Sequence, residues 1–100
     1  MPNTKEEIID AVVTFINREH SVYINWYVGI TANPAHRIFT DHCFPKTDPF
    51  WIHREADSPS TARATVQQLI GMGFDGTPEV EDLNAQFVYA YKKYPGITKP

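Results

Sequence analysis

The sequence predicts a single small α+β domain, with a three-stranded, mainly antiparallel sheet flanked by three helices. Two observations carry that expectation. Apolar residues recur at helical spacing in three segments and alternate in three others, and the segments follow as helix, strand, helix, strand, helix, strand. At 100 residues the chain has room for one core, so positions 1–100 are read as one domain. The element order alone leaves an α/β arrangement open.

The first helix is placed at about 4–18. Thr4 and Glu7 have the S/T-x-x-E spacing of a capping box, and Ile8, Val12, Phe15 and Ile16 then fall on one face. Alternation from Val22 to Thr31 marks a strand, firmest over Trp26 to Ile30. Asn33-Pro34 is a cap followed by a proline suited to a first helical turn, which predicts a helix from Pro34 to Asp41. Phe50 to Ala56 reads as the second strand, with Trp51, His53 and Glu55 on one face and Phe50, Ile52 and Arg54 on the other. Ser58-Pro59 repeats the cap-plus-proline signal for a helix that runs to Met72 and stops at Gly73. Residues from Gly73 to Asn84, including Glu79, Glu81 and Asp82, are expected to form a polar loop. Phe87 to Tyr91 is the third strand, and about 94–100 a loose tail.

With 42% apolar and 21% charged residues, the composition is neither disordered nor fibrous. The longest apolar run, Phe87 to Tyr91, is far short of the ~20 residues of a membrane span, so no membrane partner is expected. A polar start from Met1 to Glu7 without an apolar leader, and the single Cys43, fit a cytoplasmic protein. The net charge of −3 argues against coating nucleic acid by bulk attraction. Binding would need Lys46, Arg54, Arg63, Lys92 and Lys93 to cluster with Arg37. His36, His42, Cys43 and His53 match no zinc-binding frame. Trp26, Tyr27, Tyr89 and Tyr91 are able to stack bases, although sheet aromatics usually belong to the core.

The densest polar segment is Tyr27-Val28-Gly29-Ile30-Thr31, then Asn33-Pro34, Arg37 and His42. An anion at this corner would meet backbone N–H groups and the Arg37 guanidinium together; the plain alternative is a solvated surface arginine. The segment resembles the second half of the GIY-YIG nuclease signature. That pattern has a YIG tripeptide ending a strand, a threonine two residues on, an arginine on the next helix, and a histidine or tyrosine about a turn later. The likeness extends over about Trp26 to Ile70. It implies that Tyr27 is the tyrosine that positions the attacking water and that Arg37 steadies the scissile phosphate. His42 stands for the supporting residue, one position farther from Arg37 than is usual, and Gly29, Thr31 and Asn33 line the binding corner.

Two departures shape the expected function. The family's GIY strand normally precedes YIG by ten or more residues, and Val22-Tyr23-Ile24 lies too close for that. The strand Phe87 to Lys92 fits the slot better, in a permuted arrangement that pairs it with the Tyr27 strand and makes Tyr89 the GIY tyrosine. The family's metal-binding glutamate maps onto Val66, by the spacing Ala62, Val66, Leu69-Ile70. Valine cannot hold Mg²⁺, which demands oxygen ligands, and Val66 is expected to look toward Tyr27 and Arg37. Glu55 and Asp57 are weak substitutes. The expectation is therefore a catalytically inactive domain that binds a phosphate-bearing ligand or nucleic acid at the Tyr27/Arg37 corner, with no cofactor. The alternatives are a protein-interaction or inhibitor module, and an active endonuclease that uses Mg²⁺ on a non-standard carboxylate.

Overall fold

A computed structural model describes residues 2–18, 20–77 and 84–98. Helix α1 (Lys5–Arg18) begins at the expected capping box: Glu7 N–H donates to Thr4 Oγ1 at 3.2 Å, and Thr4 N–H donates to Glu7 Oε1 at 2.8 Å. A 3₁₀ turn (Tyr23–Asn25) leads into β1 (Trp26–Thr31). Next comes α2 (Pro34–His36), which runs on into a π turn (Arg37–Asp41). Strand β2 (Trp51–Glu55) precedes α3 (Pro59–Gly71), capped by Ser58, whose hydroxyl accepts from Thr61 N–H at 3.1 Å. Gly73 ends the helical path with φ at +119°, the conformation glycine adopts most easily. Strands β3 (Asp75–Gly76) and β4 (Phe87–Lys92) complete the sheet. The acidic run Glu79, Glu81 and Asp82 lies outside the described residues.

The strand order is β2-β4-β1-β3. Strand β4 is antiparallel to both β1 and β2, as the proposed pairing of the Tyr89 and Tyr27 strands requires. The fold is α+β, but the sheet is mixed and four-stranded rather than three-stranded and mainly antiparallel. The strand missed in the sequence, β3, pairs in parallel with β1 through Tyr27↔Asp75 and Val28↔Gly76. Two residues are too few to show an alternating pattern. Gly76 admits the close approach, because a Cβ there would overlap the Val28 carbonyl oxygen.

Register divides the side chains between two faces. Tyr27, Gly29 and Thr31 share a face with Phe87, Tyr89 and Tyr91 and with Trp51, His53 and Glu55. Trp26, Val28, Ile30, Val88, Ala90 and Ile52 occupy the other face. There they join Ile8, Val12 and Ile16 of α1 and Ala62, Val66 and Leu69 of α3 in the main core. Burying each such aliphatic side chain contributes ~1.5–3 kcal/mol, which makes this layer the principal source of stability. The first face is covered by α2, the π turn and the segment after it, through Ile38 and Phe44 packed on Tyr27, Tyr89 and Tyr91. Among the described residues no helix is long and apolar enough to cross a membrane.

Candidate functional site

His42 stands at the centre of the aromatic face. Its ring centroid lies 5.0 Å from Tyr27, 5.6 Å from Tyr89 and 5.0 Å from Tyr91. Nε2 and the Tyr89 hydroxyl share a buried hydrogen bond of 2.7 Å. An imidazole is 1% exposed here because a phenol on a neighbouring element meets its polar atom. Gly29 makes that arrangement possible. It sits opposite Tyr89 in register, and a Cβ at position 29 would overlap the Tyr89 hydroxyl and ring.

The extra residue between Arg37 and His42 has a structural explanation. His42 N–H donates to the Arg37 carbonyl at 3.0 Å, an i→i+5 bond that closes the π turn. The wider turn absorbs one residue and returns the chain beneath Arg37, so His42 reaches the Tyr89 hydroxyl. The sequence showed only the spacing of the histidine; the π turn is what brings it to Tyr89. The helix expected over Pro34 to Asp41 is therefore α-helical for one turn and π thereafter.

Arg37 lies at the mouth of this cluster, with its side chain 34% exposed. Burial pulls its pKa down, but the Tyr89 hydroxyl and Asp41 together raise it above the ordinary value, so it is a fixed cation. It has the carboxylate partner the sequence left undefined: Nη1 donates to Asp41 Oδ2 at 3.2 Å, and His36 Nδ1 lies 3.8 Å from the same oxygen. Burial raises the Tyr89 pKa to about 12, against the lowering effect of Arg37. Burial also raises Tyr27, again opposed by Arg37, and raises Tyr91 further, with neighbouring phenols adding to the effect. All three phenols are protonated at neutral pH. They are neutral hydroxyl groups, not phenolate bases.

The expected binding residues have local tasks. Thr31 Oγ1 accepts Asn33 N–H at 3.1 Å, and Asn33 Oδ1 accepts His36 N–H at 3.2 Å. Asn33 thus consumes a helix-start donor assigned to an anion in the sequence reading, which leaves Arg37 as the main electrostatic attraction at this corner.

Val66 requires a correction. It is fully buried in the core between the sheet and α1, with Val28 and Val88, on the opposite face of the sheet from Tyr27, Tyr89 and Tyr91. The α3 spacing that matched the family's metal helix therefore places residue 66 in packing, and its identity does not govern the Arg37 corner. Of the substitutes, Glu55 shares the Tyr89 face at the end of β2, opposite Phe87. Asp57 lies beyond the strand, exposed, with its N–H donating to the Asn3 carbonyl at 2.9 Å. Asp75 shares the Tyr27 face but binds Lys93 Nζ at 3.0 Å. No group of three or more His, Cys, Asp or Glu side chains placed to hold a metal occurs among the described residues.

The basic cluster does not assemble around Arg37. Lys93 pairs with Asp75, Lys92 lies over the rings of Phe50 and Tyr94 at 5.2 and 5.9 Å, and Arg63 is on α3 across the sheet. Arg54 remains nearby, with Nη1 donating to the His53 carbonyl at 2.7 Å. Trp26, Tyr27, Tyr89 and Tyr91, able to stack bases but more usual as core, are all buried. The partly exposed rings packed on this side include Phe39, Trp51, His53 and Phe87. Alternation in β2 signalled Trp51 and His53, but the sequence reading gave them only a structural place. Comparison with protein-family models, curated proteins and solved structures gives no match for the chain.

Proposed function

We propose that this domain is GIY-YIG-like and binds the phosphate of a nucleic acid or other phosphate-bearing ligand at Arg37, without cleaving it. One observation carries the reading. Tyr27, Arg37, His42 and Tyr89, matched by resemblance from three separate segments, meet in one cluster with Arg37 at its mouth. A partly exposed guanidinium held over neutral phenols suits a phosphate oxygen by charge and by hydrogen bonding. Cleavage would need a base or a metal-held water, and the nearby Asp41 and Asp75 are already paired with Arg37 and Lys93. We place the protein in the cytoplasm, where the lone exposed thiol of Cys43 stays reduced.

The test is binding of a fluorescent oligonucleotide at low salt to the parent and to Arg37→Ala. Loss of a charge-assisted contact worth ~1.5–3 kcal/mol weakens binding by roughly 10- to 150-fold. No binding by the parent removes the reading. Incubation of plasmid, duplex and branched DNA, and of RNA, with Mg²⁺ or Mn²⁺ is expected to leave them intact. Metal-dependent cutting lost in Tyr27→Phe or Arg37→Ala would overturn the non-cleaving assignment. The second reading, a protein-interaction module, is favoured by the net charge of −3 and by exposed Val22 and Ile24 beside the 3₁₀ turn.

A further inference from the structure

On the same face as the Arg37 corner, the outer edge of the sheet presents a row of rings. Phe39, within the π turn, stands edge-on to Trp51 with centroids 5.2 Å apart. Trp51 and His53 are stacked at 5.6 Å with an interplanar angle of 13°, and Phe87 meets His53 edge-on at 6.0 Å. Each ring is half-exposed. The row adjoins the phosphate corner at two places. Phe39 lies between Arg37 and Asp41 in the chain, and His53 is the cross-strand neighbour of Tyr89.

His53 is the informative member. Its Nδ1 is buried without a hydrogen-bond partner, an uncommon cost for a structural histidine. Burial, and then Arg54, lower its pKa, which keeps the ring neutral at physiological pH. Stacking on Trp51 is what holds it. A ring kept uncharged and half-exposed beside a tryptophan is poor core material and a serviceable stacking surface.

We propose that Trp51 and His53 form a base-stacking platform continuous with the Arg37 corner, and that the ligand is single-stranded nucleic acid. The inference rests on the phosphate-binding reading of Arg37 and narrows its ligand. Charge distribution supports the choice. Arg37 stands at one end of the row, paired to Asp41, while Arg54 projects from the opposite face and reaches round only to the His53 carbonyl; Glu55 is at the far end of β2. One arginine matches a single phosphate, whereas a duplex backbone calls for a longer basic track. Bases inside a duplex also keep their faces stacked on one another, out of reach of Trp51; an unpaired strand offers them.

Tryptophan emission gives a direct test, because Trp26 is 0% exposed and Trp51 is the half-exposed reporter. The probes are a short oligodeoxyadenylate, an abasic phosphodiester strand of equal length, the corresponding duplex, and inorganic phosphate. The oligodeoxyadenylate is expected to quench Trp51 and to bind on the order of tenfold tighter than the abasic strand or the duplex. Trp51→Ala loses on the order of tenfold in affinity for the base-bearing strand and leaves abasic binding unchanged. Trp51→Phe keeps most of the affinity while abolishing the quench, which separates stacking from misfolding. Equal binding of abasic and base-bearing strands, weakened by Arg37→Ala, overturns the platform and leaves the phosphate reading standing. Equal binding of duplex and single strand does the same. Failure of every probe to bind removes both.

Discussion

The two faces of the sheet are built from different chemistry. One carries Trp26, Val28, Ile30, Val88 and Ala90 against two helices, and it needs little beyond apolar volume. The other carries Tyr27, Tyr89, Tyr91 and buried His42 under a short turn, where polar atoms such as those of His42 and Tyr89 are paired with each other. An apolar layer tolerates exchange of similar volumes, whereas a polar cluster depends on distances. A fold seeking stability alone would have used aliphatic residues on both faces. The aromatic face accepts desolvated hydroxyls and an imidazole beside a guanidinium, and that is why the proposed site is placed there.

The largest test of this contrast is Val66→Glu. Placed in the apolar layer, the carboxylate is buried without a partner, and the expected loss is ~3–5 kcal/mol from a total stability of ~5–15 kcal/mol. Urea unfolding checks it by a large fall in midpoint. Metal-dependent stabilisation of the variant would return residue 66 to the site and break the division between the faces.

Gly29→Ala probes the aromatic face. Its new methyl group meets the Tyr89 ring, so a cost of ~1–3 kcal/mol is expected. In a Tyr89→Ala background the obstruction is gone, and the same substitution should cost less, measurable as a coupling energy in a double-mutant cycle. Equal costs in both backgrounds would show that Tyr89 does not lie over Gly29.

Arg37→Ala separates binding from folding. Its pairing with Asp41 is partly exposed, so the expected stability change is within ~1 kcal/mol, although ligand binding is lost. Asp41→Asn should instead strengthen anion binding, because it frees the guanidinium. Weaker binding in Asp41→Asn would make the carboxylate an orienting group rather than a competitor.

The smallest expected effect concerns pH. His53 has a folded-state pKa below the ordinary 6.5, through burial first and Arg54 second, so folding favours the neutral ring. Its contribution is complete above pH 6.5 and declines as pH falls below that value, because the unfolded chain takes up the proton first. Relative to the parent, His53→Phe should therefore lose less stability between neutral and mildly acidic pH in denaturant titrations. Parallel pH profiles for the two proteins would remove that assignment.

Local signals in the chain determined much of the fold. The Thr4/Glu7 box, the Ser58 cap, Gly73 and the alternation in β1, β2 and β4 are short-range patterns, and each specifies an element through contacts within a few residues. Arg37 and His42 were singled out by a resemblance carried in one continuous segment, and the fold brings them to the Tyr27 and Tyr89 side of the sheet. Three things were settled only by tertiary structure. Strand β3 is two residues long, and its place beside β1 depends on the Val28 contact with Gly76, far away in sequence. The π turn that seats His42 differs from an α-helix by one residue per turn, a difference in backbone hydrogen bonding that side-chain periodicity does not encode. Val66 has the same spacing whether its helix faces the site or the core. Helical periodicity defines an apolar stripe, and only the packing of α3 against the sheet decides which side of the molecule that stripe covers.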